Sequence, residues 1–95
     1  MAKVVRTPAS VRDLAAIADW IANNNLDAAV RFYEEVDRVL DLIARYPLMG
    51  EAVDHLGPGL RRHTVGEYLL FYRSIGDQLE LLRVLHGARD IGNLF

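Results

Sequence analysis

The stretch EYLLFYRSIGDQLELLRVLHGARDIGNLF, residues 67–95, decides the fold of this 95-residue chain. It predicts two long β-strands joined at Gly76-Asp77, because glycine accepts the positive φ that a two-residue hairpin turn requires. A short tail from Gly87 to Phe95 follows the second strand. The predicted register pairs three sets of residues across the hairpin: Ile75 with Gln78, Arg73 with Glu80, and Phe71 with Leu82.

Both faces of this hairpin carry apolar side chains, so neither face is expected to be simply solvated. On the predicted register one face carries Leu69, Phe71, Arg73, Glu80, Leu82, Val84 and His86. The other face carries Leu70, Tyr72, Leu79, Leu81, Arg83 and Leu85. One face should pack on helices, and the other should be partly covered by the tail, a loop or a partner. The alternation is compatible with either assignment.

The residues before the hairpin predict one strand and two helices. Met1 to Arg6 is interpreted as a strand at a sheet edge, and Thr7-Pro8 supplies a capping hydroxyl and a first-turn proline for a helix that reaches about Asn23. Apolar residues at helical spacing predict a second helix from Leu26 to Arg45. Its expected i,i+4 ion pairs are Glu34–Arg38 and Asp41–Arg45. The short connection makes the two helices an antiparallel hairpin.

A loop and one further strand connect the helices to the central hairpin. Prolines and glycines predict a loop from Tyr46 to Gly59. A strand from Leu60 to Val65 follows, and Gly66-Glu67 turns the chain into the hairpin. The predicted order is therefore β-α-α-β-β-β, an α+β fold with a helical hairpin packed on a small, mostly antiparallel sheet. The length predicts a single domain over residues 1–95.

Composition excludes several classes of function. The chain has no cysteine and a formal net charge of −2, which argues against thiolate metal sites and against nucleic-acid binding through charge alone. His55, His63 and His86 show no close ligand spacing, so neither a metal nor another cofactor is expected. No apolar run approaches the ~20 residues of a membrane span, and the N-terminus lacks the apolar core of a signal peptide. A cytoplasmic protein is predicted.

Four passages carry a resemblance to a known family. The first is DLAAIADWIANNN (13–25) together with AAVRFYEEV (28–36), and the others are RYPLMG (45–50), GLRRHTVGEYLLFYR (59–73) and LELLRVLHGARD (79–90), which precedes a terminal LF. In this order the set resembles the RelE/ParE toxin family of type II toxin–antitoxin systems, and the last passage is most similar to the ParE branch. The resemblance implies a cytoplasmic toxin that is neutralised by a cognate antitoxin.

The resemblance also implies partners. The antitoxin is expected to be a ParD-like protein with a ribbon-helix-helix DNA-binding half and a flexible half that wraps the toxin. The hetero-oligomer should contain at least two toxins and two antitoxins, and operator DNA should be contacted only through the antitoxin. ParE-like members poison DNA gyrase, whereas RelE-like members cleave messenger RNA on the ribosome.

One position distinguishes these two activities. Ribonucleases of the family tend to carry an arginine after the aromatic residue that opens the middle strand, but here Tyr68 is followed by Leu69. We therefore expect a ParE-like, non-enzymatic gyrase inhibitor. The alternative is a ribosome-dependent endoribonuclease that uses Arg62, His86 and Arg89.

Nine residues are candidates for target or antitoxin binding: Trp20, Arg61, Arg62, Arg73, Arg83, His86, Arg89, Leu94 and Phe95. Trp20 is either half-buried core or an anchor for a wrapping peptide. Arg83 lies among leucines, so it should reach a carboxylate on the second helix or on the antitoxin.

The other candidates also have structural interpretations. Arg73 should form a cross-strand ion pair with Glu80. Arg61 and Arg62 form either a basic patch or part of a solvated strand. His86 either belongs to a remnant catalytic cluster or hydrogen-bonds backbone at the end of its strand. The tail, with Leu94 and Phe95, is expected to contact gyrase.

Overall fold

The computed structural model describes residues 2–87, which form two α-helices and five β-strands. The elements are β1 (Lys3–Arg6), α1 (Pro8–Ala22), α2 (Leu26–Arg45), β2 (Glu51–Ala52), β3 (Arg61–Val65), β4 (Tyr68–Ile75) and β5 (Gln78–His86). The predicted α+β fold is confirmed, and the predicted order gains one strand, β2. The sequence missed β2, because a two-residue strand has no alternation to detect. The tail after Gly87, with Arg89, Leu94 and Phe95, lies outside the described residues.

The five strands form one sheet in the order β1-β5-β4-β3-β2. β1 runs parallel to β5 at one edge, and the other pairs are antiparallel, as predicted. Gly66 and Gly76 open the two hairpin turns, each with a φ of 59°. Positive φ only at the first central residue is the pattern of a type II′ turn, whose twist suits neighbouring strands.

The register of the central hairpin shifts by one residue between Phe71 and Tyr72. The pairs nearer the turn, Ile75–Gln78 and Arg73–Glu80, are confirmed. The predicted Phe71–Leu82 pair is wrong, since Phe71 faces Arg83. An extra residue in one strand reverses the alternation beyond it.

The bulge also corrects the predicted faces of the hairpin. Val84 joins Leu70 and Tyr72, although it was predicted to share a face with Phe71. Leu85 joins Phe71 on the opposite face. A bulge of this kind depends on pairing between strands, so the alternation within β5 alone does not reveal it.

The main core lies between the helices and the face of the sheet that carries Leu70 and Tyr72. α1 and α2 contribute Leu14, Phe32, Val36, Val39, Leu40 and Ile43, and the strands contribute Val65, Leu70, Tyr72, Leu79, Leu81 and Val84. These side chains are at most 9% exposed. Burying such side chains contributes roughly 1.5–3 kcal/mol each, which holds the helical hairpin on the sheet.

A smaller core covers the opposite face of the sheet. Phe71 and Leu85 pack there with Val53 and Leu60, and partly buried Leu69 joins them. Val53 and Leu60 belong to the connection between β2 and β3. The second face is therefore covered by a loop, which was one of the predicted alternatives.

The two predicted ion pairs on α2 have different outcomes. Arg45 lies 3.5 Å from Asp41, as predicted. Arg38 pairs with Glu35 instead of Glu34, donating from Nε at 3.0 Å and from Nη2 at 2.6 Å. Residues three and four apart are both neighbours on a helix, and the two-bond contact with Glu35 decides between them.

A buried tyrosine hydroxyl joins the sheet to the loop after α2. Tyr72 donates to the carbonyl of Pro47 and accepts from the amide of Gly50, both at 2.9 Å. A Cβ at Gly50 would lie 2.4 Å from this hydroxyl, so only glycine fits there without displacement. Burial raises the pKa of Tyr72.

Tyr72→Phe is expected to lower the free energy of unfolding by about 1–3 kcal/mol, because the Gly50 amide loses its acceptor. Urea denaturation measures this loss. The matched control is Tyr46→Phe, which changes an exposed tyrosine. The raised pKa makes the folded state hold the phenol proton more tightly than the unfolded state. This contribution to stability is present below about pH 10 and falls as pH rises above it. Equal stability of wild type and Tyr72→Phe would contradict the assignment.

Candidate functional site

A groove of about 550 Å³ lies between α1 and the end of the β4–β5 hairpin. Its lining residues are Asp13, Ala16, Ile17, Trp20, Tyr68, Arg83, Val84, Leu85 and His86. Three of the predicted binding residues, Trp20, Arg83 and His86, meet in this groove although they are distant in sequence.

The groove exists because β5 is longer than its neighbour β1. The β1 pairing ends at Arg6 and Leu81, and the remainder of β5 would present a free strand edge. Thr7 covers part of this edge, since its amide donates to the Leu81 carbonyl at 3.1 Å and its hydroxyl donates to the Leu82 carbonyl at 2.9 Å. The same hydroxyl oxygen accepts from the Ser10 amide and caps α1. Capping therefore starts the helix directly beside the strand.

Asp13 closes the next part of the edge. Its Oδ2 accepts from Arg83 Nε at 2.7 Å and from the Val84 amide at 3.0 Å, while its Oδ1 accepts from Arg83 Nη2 at 3.0 Å. Arg83 does reach a carboxylate within the chain, but the proposed location on the second helix is wrong. The first helix passes this end of β5. The hydrogen bond to Asp13 raises the pKa of Arg83.

Trp20 stands at the rim of the groove and is 67% exposed. Its interpretation as half-buried core is therefore wrong. Ile17, one turn earlier, is partly buried against the main core. α1 therefore packs on the core through Ile17 and leaves the Trp20 indole exposed to solvent.

Two rings from the strand ends, those of Tyr68 and His86, pack beside the groove. Tyr68 packs edge-on against Phe32 and against His86, each with ring centroids 5.4 Å apart. His86 Nε2 lies 3.7 Å from a carboxylate oxygen of Glu67, whose side chain is 84% exposed. Aromatic contacts therefore orient His86 in the groove, with an exposed carboxylate as a weak neighbour.

The other predicted arginines within residues 2–87 lie away from the groove. Arg61 donates to the backbone carbonyls of Leu48 and Gly50. Arg62 pairs with Glu51 and Arg73 with Glu80, each at 3.0 Å. The predicted Arg73 ion pair is confirmed.

The residues of the ribonuclease alternative are not brought together within residues 2–87. Arg62 lies opposite Phe71 in the register, on the face of the smaller core. His86 lies opposite Tyr68, which packs toward the helices. Arg62 and His86 therefore occupy opposite faces of the sheet. Arg89 falls outside the described residues.

The sequence did not single out Asp13 as a member of the site. Asp13 lies off the apolar stripe of α1, where a carboxylate is normally solvated. Its partners are 70 and 71 residues away in the chain. Only the position of α1 beside β5 distinguishes it from an ordinary surface residue.

Two further properties describe residues 2–87. No group of three or more acidic or histidine side chains in this range is arranged to hold a metal ion. Neither described helix combines the length and the apolar character that crossing a membrane requires.

Comparisons with known proteins agree with the fold. The sequence model described as "ParE toxin of type II toxin-antitoxin system, parDE" matches residues 4–91. Toxin ParE1 of Mycobacterium tuberculosis is 32% identical over 87 residues, covering 90% of this chain and 89% of the relative. Toxin ParE1 of Caulobacter vibrioides is 34% identical over 65 residues, covering 68% of this chain and 67% of the relative.

A solved structure shows the same architecture. A chain of the chromosomal ParDE TA system from P. aeruginosa superposes with a TM-score of 0.75 at 19% identity, covering 90% of this chain and 96% of that chain. The fold is thus that of the RelE/ParE class of small toxins. Within this class, the chain belongs to the ParE toxin family of type II toxin–antitoxin systems.

Proposed function

We propose that this protein is a cytoplasmic toxin that inhibits DNA gyrase by binding it, and that a cognate antitoxin neutralises it by occupying the groove. Membership of the ParE family supports the first part. The observation that carries the second part is the exposed indole of Trp20 above an apolar groove.

The groove has the properties of a site for a peptide segment. It is concave, Ile17 and Tyr68 make its walls apolar, and Trp20 at its rim can cover an inserted side chain. An amphipathic helix that places one or two apolar side chains here would use helix-in-groove recognition, and an extended segment would place its side chains against the same walls. Tryptophan is among the residues most often found as binding hot spots.

The charges of the groove favour binding over catalysis. Asp13 and Arg83 neutralise each other, and the carboxylate also accepts the Val84 amide. Their hydrogen-bonding groups are largely engaged within the chain. The histidine that lines the groove, His86, packs against Tyr68.

The opposite face of the sheet also favours binding over ribonuclease activity. Cleavage of RNA without a metal requires several cations around one phosphate and a general acid or base. Leu69 instead belongs to the smaller apolar core, and Arg62 is paired with Glu51. These contacts support the ParE-like interpretation of Leu69.

The assembly follows from the same proposal. A ParD-like antitoxin with a ribbon-helix-helix half would dimerise and carry two toxins, which gives a hetero-oligomer of at least two toxins and two antitoxins. The antitoxin alone would contact operator DNA. Residues 1–95 would act as one unit in this complex.

Purified protein should inhibit supercoiling by purified gyrase, and equimolar antitoxin should restore it. Expression without the antitoxin should induce the DNA-damage response while protein synthesis continues. Programmed ribosomes provide the contrasting assay. Cleavage of messenger RNA in the ribosomal A site, lost in Arg89→Ala, would overturn the gyrase proposal.

A further inference from the structure

Three apolar side chains project from the loop that follows α2. Tyr46, Leu48 and Met49 are 62%, 75% and 37% exposed, and Leu48 is the most exposed large apolar side chain of residues 2–87. We call this loop, residues 46–50, the knuckle. Single exposed apolar residues are common on protein surfaces, but three within four positions form a local patch.

The knuckle is held rigidly although its side chains are exposed. The buried hydroxyl of Tyr72 binds Pro47 and Gly50 from below. Arg61 Nη1 donates to the carbonyls of Leu48 at 3.1 Å and Gly50 at 2.7 Å. A preorganised loop loses little conformational entropy when it binds, so its exposed side chains are suited to act as anchors.

The knuckle lies far from the groove. Trp20 is near the end of α1, close to the start of α2, and the knuckle begins where α2 ends. The 20 residues of α2 rise about 30 Å. The two surfaces therefore lie at opposite ends of the helical hairpin and can be tested separately.

Shape and charge indicate what the knuckle binds. The groove is concave and suits a peptide segment, whereas the exposed side chains of the knuckle suit an apolar cleft in a folded protein. Beside it, Arg61 uses Nη1 for two backbone carbonyls and forms none of the ion pairs found within residues 2–87. A carboxylate at the rim of the cleft would complement this cation.

We infer that the knuckle is a target-binding surface of the toxin, and that it inserts Leu48 and Met49 into an apolar cleft of the target with a carboxylate near Arg61. This inference deepens the proposed function and rests on its premise that the toxin acts by binding. It assigns the groove to the antitoxin and the knuckle to the target.

The test compares wild type with a Leu48→Ser, Met49→Ser double variant. The matched control is Leu26→Ser, Val30→Ser, which changes two apolar side chains that are 69% and 51% exposed on α2. Three quantities are measured: growth after expression without antitoxin, inhibition of purified gyrase, and antitoxin affinity by calorimetry. The knuckle variant should lose growth inhibition and at least about tenfold of its potency on gyrase, with antitoxin Kd within about twofold of wild type. The control should retain potency.

Every other outcome supports or overturns the inference about the knuckle or the gyrase proposal. Full potency of the knuckle variant overturns it, as does weakened antitoxin binding with potency intact. If wild type stops growth but leaves gyrase active, the gyrase proposal fails. In that case, loss of growth inhibition in the knuckle variant would still support the knuckle as a target-binding surface. Persistence of growth inhibition in that variant would overturn this assignment. A wild-type protein inactive in both assays overturns both proposals.

Discussion

Trp20→Ala is expected to weaken binding of the cognate antitoxin by about thirtyfold or more, with little change in the free energy of unfolding. The indole is 67% exposed, so its removal takes little from the core. Covered by a partner at the centre of an interface, a tryptophan commonly contributes about 2 kcal/mol or more, which corresponds to about thirtyfold in Kd. Titration calorimetry with purified antitoxin measures the affinity, and thermal denaturation checks the fold.

Leu26→Ala is the control for this prediction. Leu26 is 69% exposed but does not line the groove. Its replacement should change antitoxin affinity by less than about threefold, as expected for a side chain outside the hot spot. If Trp20→Ala and Leu26→Ala bind the antitoxin equally well, the groove is not the antitoxin site.

Asp13→Ala is expected to lower the free energy of unfolding by about 2–3 kcal/mol. The substitution removes three hydrogen bonds and leaves Arg83 and the Val84 amide without their acceptor. Breaking a fully buried ion pair costs about 3–5 kcal/mol, but the Arg83 and Asp13 side chains here are 28% and 15% exposed. Solvent therefore reduces the loss. Urea denaturation at neutral pH measures it.

One variant separates the parts of this contact, and a second provides a comparison with another ion pair. Asp13→Asn keeps an oxygen that can accept from Val84 but removes the charge opposite Arg83, so its stability should lie between wild type and Asp13→Ala. Glu80→Ala breaks the more exposed pair with Arg73 and should cost less than about 1 kcal/mol. A loss below about 1 kcal/mol for Asp13→Ala would show that the contact contributes little to the stability of the fold.

Asp13 contributes both to the stability of the fold and to the proposed binding site. The same carboxylate closes the edge of β5 and forms part of the groove wall. A free strand edge invites pairing with other chains, so losing this contact should also expose the edge to aggregation. Light scattering on Asp13→Ala during thermal denaturation would detect this change.

Elements that depend on neighbouring residues were predictable. Thr7 caps α1 and Asn25 caps α2 through bonds to amides three residues ahead, so short-range chemistry decides where the helices begin. Gly66 and Gly76 mark the hairpin turns because few other residues adopt positive φ. The pairing of Arg73 with Glu80 follows directly from the position of the second turn.

Features that depend on contacts between distant elements were not predictable in the same way. The bulge near Phe71 comes from how β4 and β5 pair, and it reverses the faces of Val84 and Leu85. The burial of Trp20 depends on whether another element covers its position on α1, and none of those described covers it fully.

The sequence by itself therefore determined the α+β fold class, the two helices, the strands other than β2 and the turn that sets the hairpin, because each of these depends on local spacing, capping or turn chemistry. The family was indicated by the resemblance of several passages to known members. Only the tertiary structure placed Asp13 beside Arg83, exposed Trp20 on a groove and separated Arg62 from His86 across the sheet. The physical reason is that these relations arise from packing between distant segments, where a one-residue shift in register changes which side chains meet.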